Sequence, residues 1–595
     1  MAKTCSNEHY SLAMRSLHRH PFISVVACYF VFGLRLVRGD QDDIIRPSTV
    51  ETEAGAVMGK IESLPLGKSA YEYLGIPYAE PPVGDLRFAE PKPAKPWTGI
   101  RDATSYGKAC PRPSLPVPIS GFEPEPESED CLFLNVFVPS TVKPDDQMAV
   151  MVWIHGGGFS YSSSTEFPGG ILASFNDIIL VTFNYRLGIL GFLNIPDTEI
   201  KGNYGMLDQV LALQWVQNNI ASFGGDPNRV TLFGQSAGAV SVSLQLLSPL
   251  SKGLFKRVII QSGSASYPLY SGKVKDTKHL EMFANLVNCS LGPQLISCVR
   301  GKTIEDILEV QSQIIYPVYR GPQDIAGPVV DGEFLPDLPE KLLRDGKFHR
   351  VDVLTGTTSN EGALYAMLPP DQVENGVERK LFESFIKDSV VFTRGRNVFA
   401  EKAVLFKYTD HADPEDKLAM RRSMLECLGD YAFVAPMLRD AKAYYQRGLK
   451  TYSYLFNHTP IHSPYPEWIG VSHGMEQGFL FGAPFKTLSW FFTMLVPKYS
   501  ETEKDLSLNI MKMWTSFAKD GDPSPLPNSA FSKFTWPEFT EDEQAILVID
   551  LQPRVEFGFK HAGMVAFWNE LFPTLIQEGE RDAGETKEKI SKDEL

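Results

Sequence analysis

Short runs of apolar, often β-branched residues alternate with helix-like segments along most of the chain. Apolar runs without polar interruptions are typical of strands that are buried on both faces, as in a parallel sheet covered by helices. A helical pattern separates two of these runs, from Gly205 to Phe223. The alternation predicts an α/β fold with a large, mixed, mostly parallel sheet and helices on both faces. The runs are Met148–Ile154, Ile178–Phe183, Val230–Phe233, Arg257–Ile260, Val351–Leu354 and Leu449–Phe456.

The composition excludes several classes of protein. Of the 595 residues, 43% are hydrophobic and 22% are charged, which excludes collagen, coiled coils and wholesale disorder. The net charge of −15 repels phosphate backbones, so no nucleic-acid partner is expected. Neither an internal repeat nor a Gly/Ser-rich linker divides the sequence, and we expect one large domain over residues 40–576.

Both ends of the sequence resemble targeting signals. A basic, polar segment precedes the apolar run Phe22–Leu34, which fits a signal peptide over residues 1–39 and is too short to span a bilayer. Met14 would give a more compact signal, so residues 1–13 are interpreted as a start-site extension. A short signal anchor is the alternative. The sequence ends in Lys592-Asp593-Glu594-Leu595, after a charged stretch that predicts a flexible tail over residues 577–595.

These signals together predict a lumenal resident of the endoplasmic reticulum without stable membrane insertion. The KDEL retrieval receptor is then an expected partner. In this oxidising compartment, the nearby pairs Cys110–Cys131 and Cys289–Cys298 are expected to form disulfides. Cys427 remains as a buried free thiol. Asn288 and Asn457 lie in glycosylation sequons.

The segment Gly234-Gln235-Ser236-Ala237-Gly238 lies between a predicted strand and a predicted helix. A G-x-S-x-G sequence in this context forms a sharp turn that lifts the serine hydroxyl out of the chain, and only small flanking residues permit it. The pattern alone is weak, but its context strengthens it. Ser236 is therefore a candidate nucleophile.

Three consecutive glycines follow another predicted strand, in His155-Gly156-Gly157-Gly158. Glycines allow backbone N–H groups to converge on one point, as an oxyanion hole requires, and the N–H of Ala237 can join them. An ordinary glycine turn is the alternative. Because the two motifs follow the ends of two predicted strands, they favour acyl transfer.

A serine needs a base and an orienting carboxylate, which follow it in the order acid, then histidine. His473 lies in a glycine-flanked loop and is the preferred base, whereas His458 and His462 lie beside prolines and are expected on the surface. Glu361 follows a predicted strand and is the preferred acid, with Asp331 and Asp352 as rivals. The remaining downstream histidines are His349, His411 and His561.

Together with these motifs, long ordered blocks resemble the type-B carboxylesterase/lipase family, which includes cholinesterases. The resemblance implies an α/β-hydrolase fold, the triad Ser236, Glu361 and His473, and both disulfides. It also implies an oxyanion hole of Gly157, Gly158 and Ala237, a structural ion pair of Arg87 with Glu129, and a supporting role for Glu476. The blocks are Tyr73–Phe88, Ser128–Asn135, Gly202–Gln209 and Asn219–Pro227.

Departures from the family pattern narrow the expected substrate. In residues 111–130 the sequence has only Phe122 as an aromatic, where cholinesterases place a tryptophan for quaternary ammonium. Leu269 stands where cholinesterases narrow the acyl pocket with tryptophan. Gln235 stands where many relatives have glutamate, and juvenile-hormone-esterase-like members also have glutamine there. We therefore expect a broad-specificity carboxylesterase for small-molecule or lipid esters that needs neither metal nor cofactor. A lipase, a hormone esterase, an adhesion protein and a scaffold for another lumenal protein are the alternatives.

Overall fold

In a computed structural model of the chain, the predicted strands assemble into a large sheet. Within the described residues this sheet contains eleven strands, in the order β14-β13-β12-β11-β10-β9-β7-β8-β6-β4-β3. A smaller sheet has the order β1-β2-β5. The strands are β1 Thr49–Thr52, β2 Gly55–Met58, β3 Lys60–Ser63, β4 Ser69–Pro77, β5 Ile100–Asp102, β6 Phe133–Pro139, β7 Met148–Ile154, β8 Ile179–Phe183, β9 Gly225–Gln235, β10 Arg257–Gln261, β11 Asp352–Thr358, β12 Thr451–Phe456, β13 Ile546–Ile549 and β14 Arg554–Glu556.

The structure describes most of the chain between residues 48 and 578, all within one compact unit. The predicted signal peptide, the charged tail, Phe122, Leu269 and His561 lie outside the described residues. The described ranges are 48–113, 125–143, 145–195, 198, 200–268, 278–292, 294–315, 327–367, 373–387, 397–524, 531, 535–558 and 562–578.

The middle of the large sheet is parallel and its edges are antiparallel. The strands from β13 to β8 run parallel to their neighbours, whereas β14 at one edge and β6, β4 and β3 at the other are antiparallel. This arrangement confirms the mixed, mostly parallel sheet. Parallel strands end at one edge of the sheet, so the loops that follow β7, β9, β11 and β12 leave the sheet at the same side.

Helices occupy the connections between the strands. The expected helix from Gly205 to Phe223 is α3, followed by a 3-10 turn over Ile220–Phe223. The long α15 is fixed at its start by a capping box between Ser500 and Glu503. The helices are α1 Gly170–Asn176, α2 Gly188–Phe192, α3 Tyr204–Asn219, α4 Ala237–Leu247, α5 Lys278–Leu286, α6 Leu295–Arg300, α7 Ile304–Ile315, α8 Pro339–Asp345, α9 Arg379–Phe385, α10 Val398–Tyr408, α11 Lys417–Gly429, α12 Ala435–Gln446, α13 Glu476–Phe481, α14 Trp490–Leu495, α15 Glu501–Asp520 and α16 Ala562–Ala566.

Both faces of the sheet are buried under helices. Successive side chains of a strand point to opposite faces. On one face, Val150 and Val152 of β7 join an apolar cluster with α3 and α4. On the other face, Met151 and Trp153 join a second cluster with α1 and α15. The two-sided burial explains why β7 is apolar at every position.

The helix α4 packs unusually close to β7. A Cβ atom on Gly238 would lie 2.0 Å from the carbonyl oxygen of Ile154, so only glycine permits this approach. Register pairs Ile154 with Gly234 on the neighbouring β9. The first turn of α4 is thereby held beside the end of β7, where the glycine-rich loop begins.

The cysteines are arranged as the sequence predicts. Both predicted disulfides, Cys110–Cys131 and Cys289–Cys298, are formed. Cys427 is a buried free thiol, and burial raises its pKa. Among the described residues, we find no helix with the length and hydropathy required to cross a bilayer.

Candidate active site

Ser236 occupies a sharp turn between β9 and α4. Its backbone has φ 58° and ψ −127°, a left-handed conformation that a residue with a Cβ rarely adopts. The N–H of Ser236 donates a hydrogen bond of 2.9 Å to the carbonyl oxygen of Gln261 at the end of β10. Ser236 itself is half-buried. The turn, which we call the serine elbow (residues 234–238), presents the hydroxyl group at the edge of the sheet.

Glu361 lies three residues beyond the end of β11, and its side chain is buried. The Oε1 atom accepts hydrogen bonds of 2.6 Å from the backbone N–H of Thr358 and of 2.6 Å from the Ser262 hydroxyl. The Oε2 atom lies 2.5 Å from Nδ1 of His473. The carboxylate is therefore fixed on one side by its own loop and presented to the histidine on the other.

His473 lies in the loop that follows β12, and Asn360 connects this loop to the end of β11. The N–H of Asn360 donates to the carbonyl oxygen of Val471 at 3.1 Å, and the N–H of Val471 donates to Asn360 Oδ1 at 3.0 Å. The imidazole ring packs against Phe433, with ring centroids 4.7 Å apart. The loop is thereby held beside Glu361.

The contact with Glu361 determines the tautomer of His473. A carboxylate can only accept a hydrogen bond, so Nδ1 of His473 carries a proton and donates a hydrogen bond to Glu361. The unprotonated Nε2 faces the serine elbow, 3.0 Å from Nε2 of Gln235, the residue before Ser236. The structure thus brings Glu361 and His473 into contact and directs the basic nitrogen towards the elbow that carries Ser236.

The rival acids lie elsewhere. Asp352 begins β11, at the end remote from Glu361, and pairs with Arg257 at 3.4 Å. Asp331 accepts a hydrogen bond of 2.8 Å from Asn203 Nδ2 and structures its own loop.

The expectation of a surface position for His458 is wrong. Its side chain is buried, and its Nε2 lies 3.1 Å from Oε1 of Glu503 on α15. Burial alone would raise the pKa of Glu503, but hydrogen bonds from His458 and from the Ser500 backbone lower this pKa to about 2. The neighbouring prolines suggest an exposed position, but the imidazole of His458 is buried and contacts Glu503, which lies 45 residues further along the chain. His462 is exposed, as expected.

The other described histidines have structural contacts. His349 lies 2.7 Å from the carbonyl oxygen of Ser248, and His411 lies 3.0 Å from that of Phe406. His155, at the start of the glycine loop, stacks on Tyr185 with ring centroids 4.5 Å apart. Burial lowers the pKa of His155 to about 3, so it is neutral at physiological pH.

The glycine loop adopts a conformation that only glycine allows. Gly157 has φ 95° and Gly158 has φ 61°, and a Cβ on Gly157 would lie 2.3 Å from the carbonyl oxygen of Tyr161. The loop closes through hydrogen bonds from the N–H groups of Ser160 and Tyr161 to the carbonyl oxygen of Gly157. Across from it, Ala237 is the first residue of α4, where an N–H has no acceptor within the helix. Both segments offer backbone donors next to Ser236.

A second buried acid lies behind the histidine loop. Glu476, at the start of α13, accepts a hydrogen bond of 3.1 Å from Gln261 Nε2, and Gln261 Oε1 accepts one of 3.1 Å from Trp514. Burial and the nearby Glu361 raise the pKa of Glu476 to about 7. Glu476 therefore supports the loop of His473 while holding a proton over much of the acidic range.

Arg87 and Glu129 form the ion pair that the resemblance implies. Arg87 donates from Nε to Oε1 of Glu129 at 2.6 Å and from Nη2 to Oε2 at 2.5 Å. Its Nη1 donates to the carbonyl oxygens of Arg300 and Lys302, which connects the first disulfide loop to the end of α6 and the turn that follows it. This role is structural.

Several polar contacts have no signal in the sequence. Gln261, which holds Glu476, is the last residue of β10, and Ser262, which holds Glu361, directly follows it. Arg112 pairs with Glu125, Glu127 and Glu166, of which only the first two are near it in sequence. Within the described part of the chain, no group of three or more His, Cys, Asp or Glu side chains is placed to hold a metal ion.

The sequence matches the Carboxylesterase family over residues 46–568. The chain belongs to this family. Acetylcholinesterase from Bungarus fasciatus is similar to this carboxylesterase family member, with 36% identity over 548 residues that cover 89% of this chain and 87% of the relative. The fold is accordingly the α/β-hydrolase fold, with its large mixed sheet between helices. The protein is a carboxylic ester hydrolase of this serine hydrolase family.

Proposed function

We propose that the protein cleaves carboxylic esters through an acyl-enzyme, with Ser236 as nucleophile, His473 as general base and Glu361 as orienting acid. One observation carries the assignment. Nδ1 of His473 lies 2.5 Å from Oε2 of Glu361 while Nε2 faces the serine elbow. This is the arrangement that a serine needs if its proton is to be removed near neutral pH.

In the first half of the reaction, Ser236 Oγ attacks the ester carbonyl carbon and its proton moves to Nε2 of His473. Glu361 keeps the proton on Nδ1 and stabilises the imidazolium. The C–O bond to the alcohol then breaks, and His473 gives its proton to the leaving oxygen. In the second half, water attacks the acyl-enzyme by the same sequence of steps, which releases the acid and restores Ser236.

The negative charge of each tetrahedral intermediate develops on the former carbonyl oxygen. We propose that the N–H groups of Gly157, Gly158 and Ala237 receive it. The positive φ angles of the two glycines and the position of Ala237 at the start of α4 support this assignment. Each such donor contributes roughly 3 kcal/mol to stabilising the transition state. These steps require neither a metal nor a cofactor.

We propose a broad specificity for small-molecule or lipid esters. The relative from Bungarus fasciatus is named for the hydrolysis of acetylcholine. In this chain, the interval 111–130 has only one aromatic residue, Phe122, which is a weaker partner than tryptophan for a quaternary ammonium group. We therefore favour esters without a cationic alcohol.

We further propose that the protein works in the lumen of the endoplasmic reticulum. The predicted signal peptide over residues 1–39 and the terminal Lys592–Leu595 support entry and retrieval by the KDEL receptor. The two disulfides fit an oxidising lumen. Asn288 is exposed and Asn457 half-buried, and both are proposed glycosylation sites. The proposed mature domain spans residues 40–576.

The nucleophile is tested by the substitution Ser236→Ala. We expect kcat for a nitrophenyl ester to fall by roughly 10⁵-fold or more, with an unchanged melting temperature. Ser241→Ala is the matched control, because Ser241 lies on α4 five residues further on. Its hydroxyl accepts a hydrogen bond from Gln209 and donates one to Sδ of Met206, both on α3. A fluorophosphonate label should attach to wild type and to Ser241→Ala. Wild-type turnover by Ser236→Ala would refute the assignment.

A further inference from the structure

Gln235 is buried next to the nucleophile, and its amide contacts the general base. The residue ends β9, where its backbone pairs in register with Gln261 of β10, so its position is fixed by the sheet. Its Nε2 lies 3.0 Å from Nε2 of His473. The amide has little free space, because a Cβ on Gly156 would lie 3.1 Å from its Oε1 and a Cβ on Gly474 would lie 3.3 Å from its Nε2.

The contact has a defined polarity. Since Nδ1 of His473 donates to Glu361, its Nε2 has a lone pair and must accept. The amide N–H of Gln235 is the donor. This lone pair is the one that must receive the proton of Ser236 during catalysis. In the structure, therefore, Gln235 occupies the position on the base that the nucleophile needs.

We propose that Gln235 is a positioning residue that holds neutral His473 in the free enzyme and competes with Ser236 for Nε2. This inference rests on the proposed roles of Ser236 and His473. Once the serine proton has moved to Nε2, the imidazolium needs an acceptor instead. The N–H of Gln235 cannot serve as that acceptor, so this contact favours the neutral imidazole. A carboxylate at position 235 could only accept, and would favour the imidazolium throughout.

Other charged groups around His473 are independent of this contact. Glu361 contacts Nδ1 of His473, Glu476 lies at the start of α13, and the uncharged ring of Phe433 packs against the imidazole. Tyr454 of β12 lies near both acids, and burial and these acids raise its pKa, so it is neutral. None of these groups changes when residue 235 is substituted. A shift in the pH profile then reports on the amide itself.

The test compares Gln235→Met, which removes the amide at similar volume, with Gln235→Glu, which is isosteric. We expect the rate constant for fluorophosphonate labelling of Ser236 to rise about 3- to 10-fold in Gln235→Met, since one neutral hydrogen bond no longer competes. The acid limb of the kcat/KM profile should move to higher pH in the order wild type, Gln235→Met, Gln235→Glu. Between wild type and Gln235→Met, we expect the acid limb to shift by about half a pH unit to one unit.

Gln477→Met is the matched control, because Gln477 is a buried amide in the first turn of α13 that donates to the carbonyl oxygen of Gly474, next to His473, and not to the imidazole. It should leave the acid limb in place. Equal acid limbs in wild type and both variants at position 235, or an equal shift in Gln477→Met, would overturn the inference. If Gln235→Met does not fold, the test becomes the comparison between the acid limbs of Gln235→Glu and wild type. If the proposed function itself were wrong, the wild-type protein would neither hydrolyse esters nor react with the fluorophosphonate. An active wild type with unshifted variants would refute only the role of Gln235.

Discussion

At the scale of single residues, the site depends on two buried carboxyl groups with different surroundings. Glu361 accepts two hydrogen bonds at Oε1 and contacts His473 through Oε2. Glu476 accepts only the Gln261 bond at one oxygen, and its Oε2 has no hydrogen-bond partner among the described residues. Burial and the negative charge of Glu361 both disfavour a charged carboxylate at Glu476, so the pKa of Glu476 is raised.

This difference predicts a pH-dependent effect of Glu476→Gln. The folded pKa of Glu476 is raised to about 7, above its ordinary value, so the folded state binds the proton more strongly than the unfolded state. Its contribution to stability is therefore present at low pH and is lost as pH rises towards and through 7. A glutamine at this position does not ionise. The variant should gain stability relative to wild type, by an order of 1–3 kcal/mol, between pH 5.5 and pH 8.5.

The measurement is the melting temperature of both proteins across this range. Glu467→Gln is the control, since Glu467 is exposed in the turn before the histidine loop and should give a difference that is independent of pH. A difference for Glu476→Gln that is constant, or that shrinks as pH rises, would contradict the assigned direction of the shift.

At the scale of the elements, the position of the serine elbow depends on how closely α4 approaches β7. Gly238→Ala would place a methyl carbon 2.0 Å from the Ile154 carbonyl oxygen, and backbone cannot yield as a side chain can. We expect α4 to shift, with a loss of about 1–3 kcal/mol in the free energy of unfolding. Since Ala237 moves with the helix, kcat should fall at least about 10-fold. Urea unfolding and ester turnover measure the two effects.

Gly563→Ala is the comparison for this variant. Gly563 lies in α16, where a Cβ meets no atom within 4 Å, so alanine should be neutral or slightly stabilising there and leave turnover unchanged. Equal effects of the two substitutions would mean that helix propensity, and not the approach of α4 to β7, governs the result at Gly238.

The elements themselves were largely predictable, because local pattern determines them. The apolar run Met148–Ile154 is β7 without change, and the helix predicted after the G-x-S-x-G segment is α4, which begins at Ala237. Contacts across the fold were not predictable. The partner of His458 lies on α15, and the hydroxyl that holds Glu361 comes from Ser262, 99 residues earlier. Neither of these two contacts has a signal in the sequence pattern.

At the scale of the whole molecule, the topology explains why residues so far apart in sequence can act together. The parallel strands β9, β11 and β12 end at one edge of the sheet, and the loops that follow them carry Ser236, Glu361 and His473. The order of the motifs made this meeting a reasonable hypothesis. The occupation of Nε2 by Gln235 could not be predicted, because it depends on side-chain positions within a fraction of an ångström.

The proposed location predicts what happens when the terminal tetrapeptide is removed. Both disulfides and the proposed catalytic residues Ser236, Glu361 and His473 lie between residues 110 and 473, far from the terminal tetrapeptide in the sequence. Deletion of Lys592–Leu595 should therefore leave turnover and melting temperature unchanged, and the enzyme should appear in the culture medium, since retrieval depends on a receptor that reads those four residues. Lys589→Ala, outside the tetrapeptide, should remain in the cells. Retention of the deleted chain, measured by esterase activity in medium and lysate, would exclude receptor-mediated retrieval through this sequence.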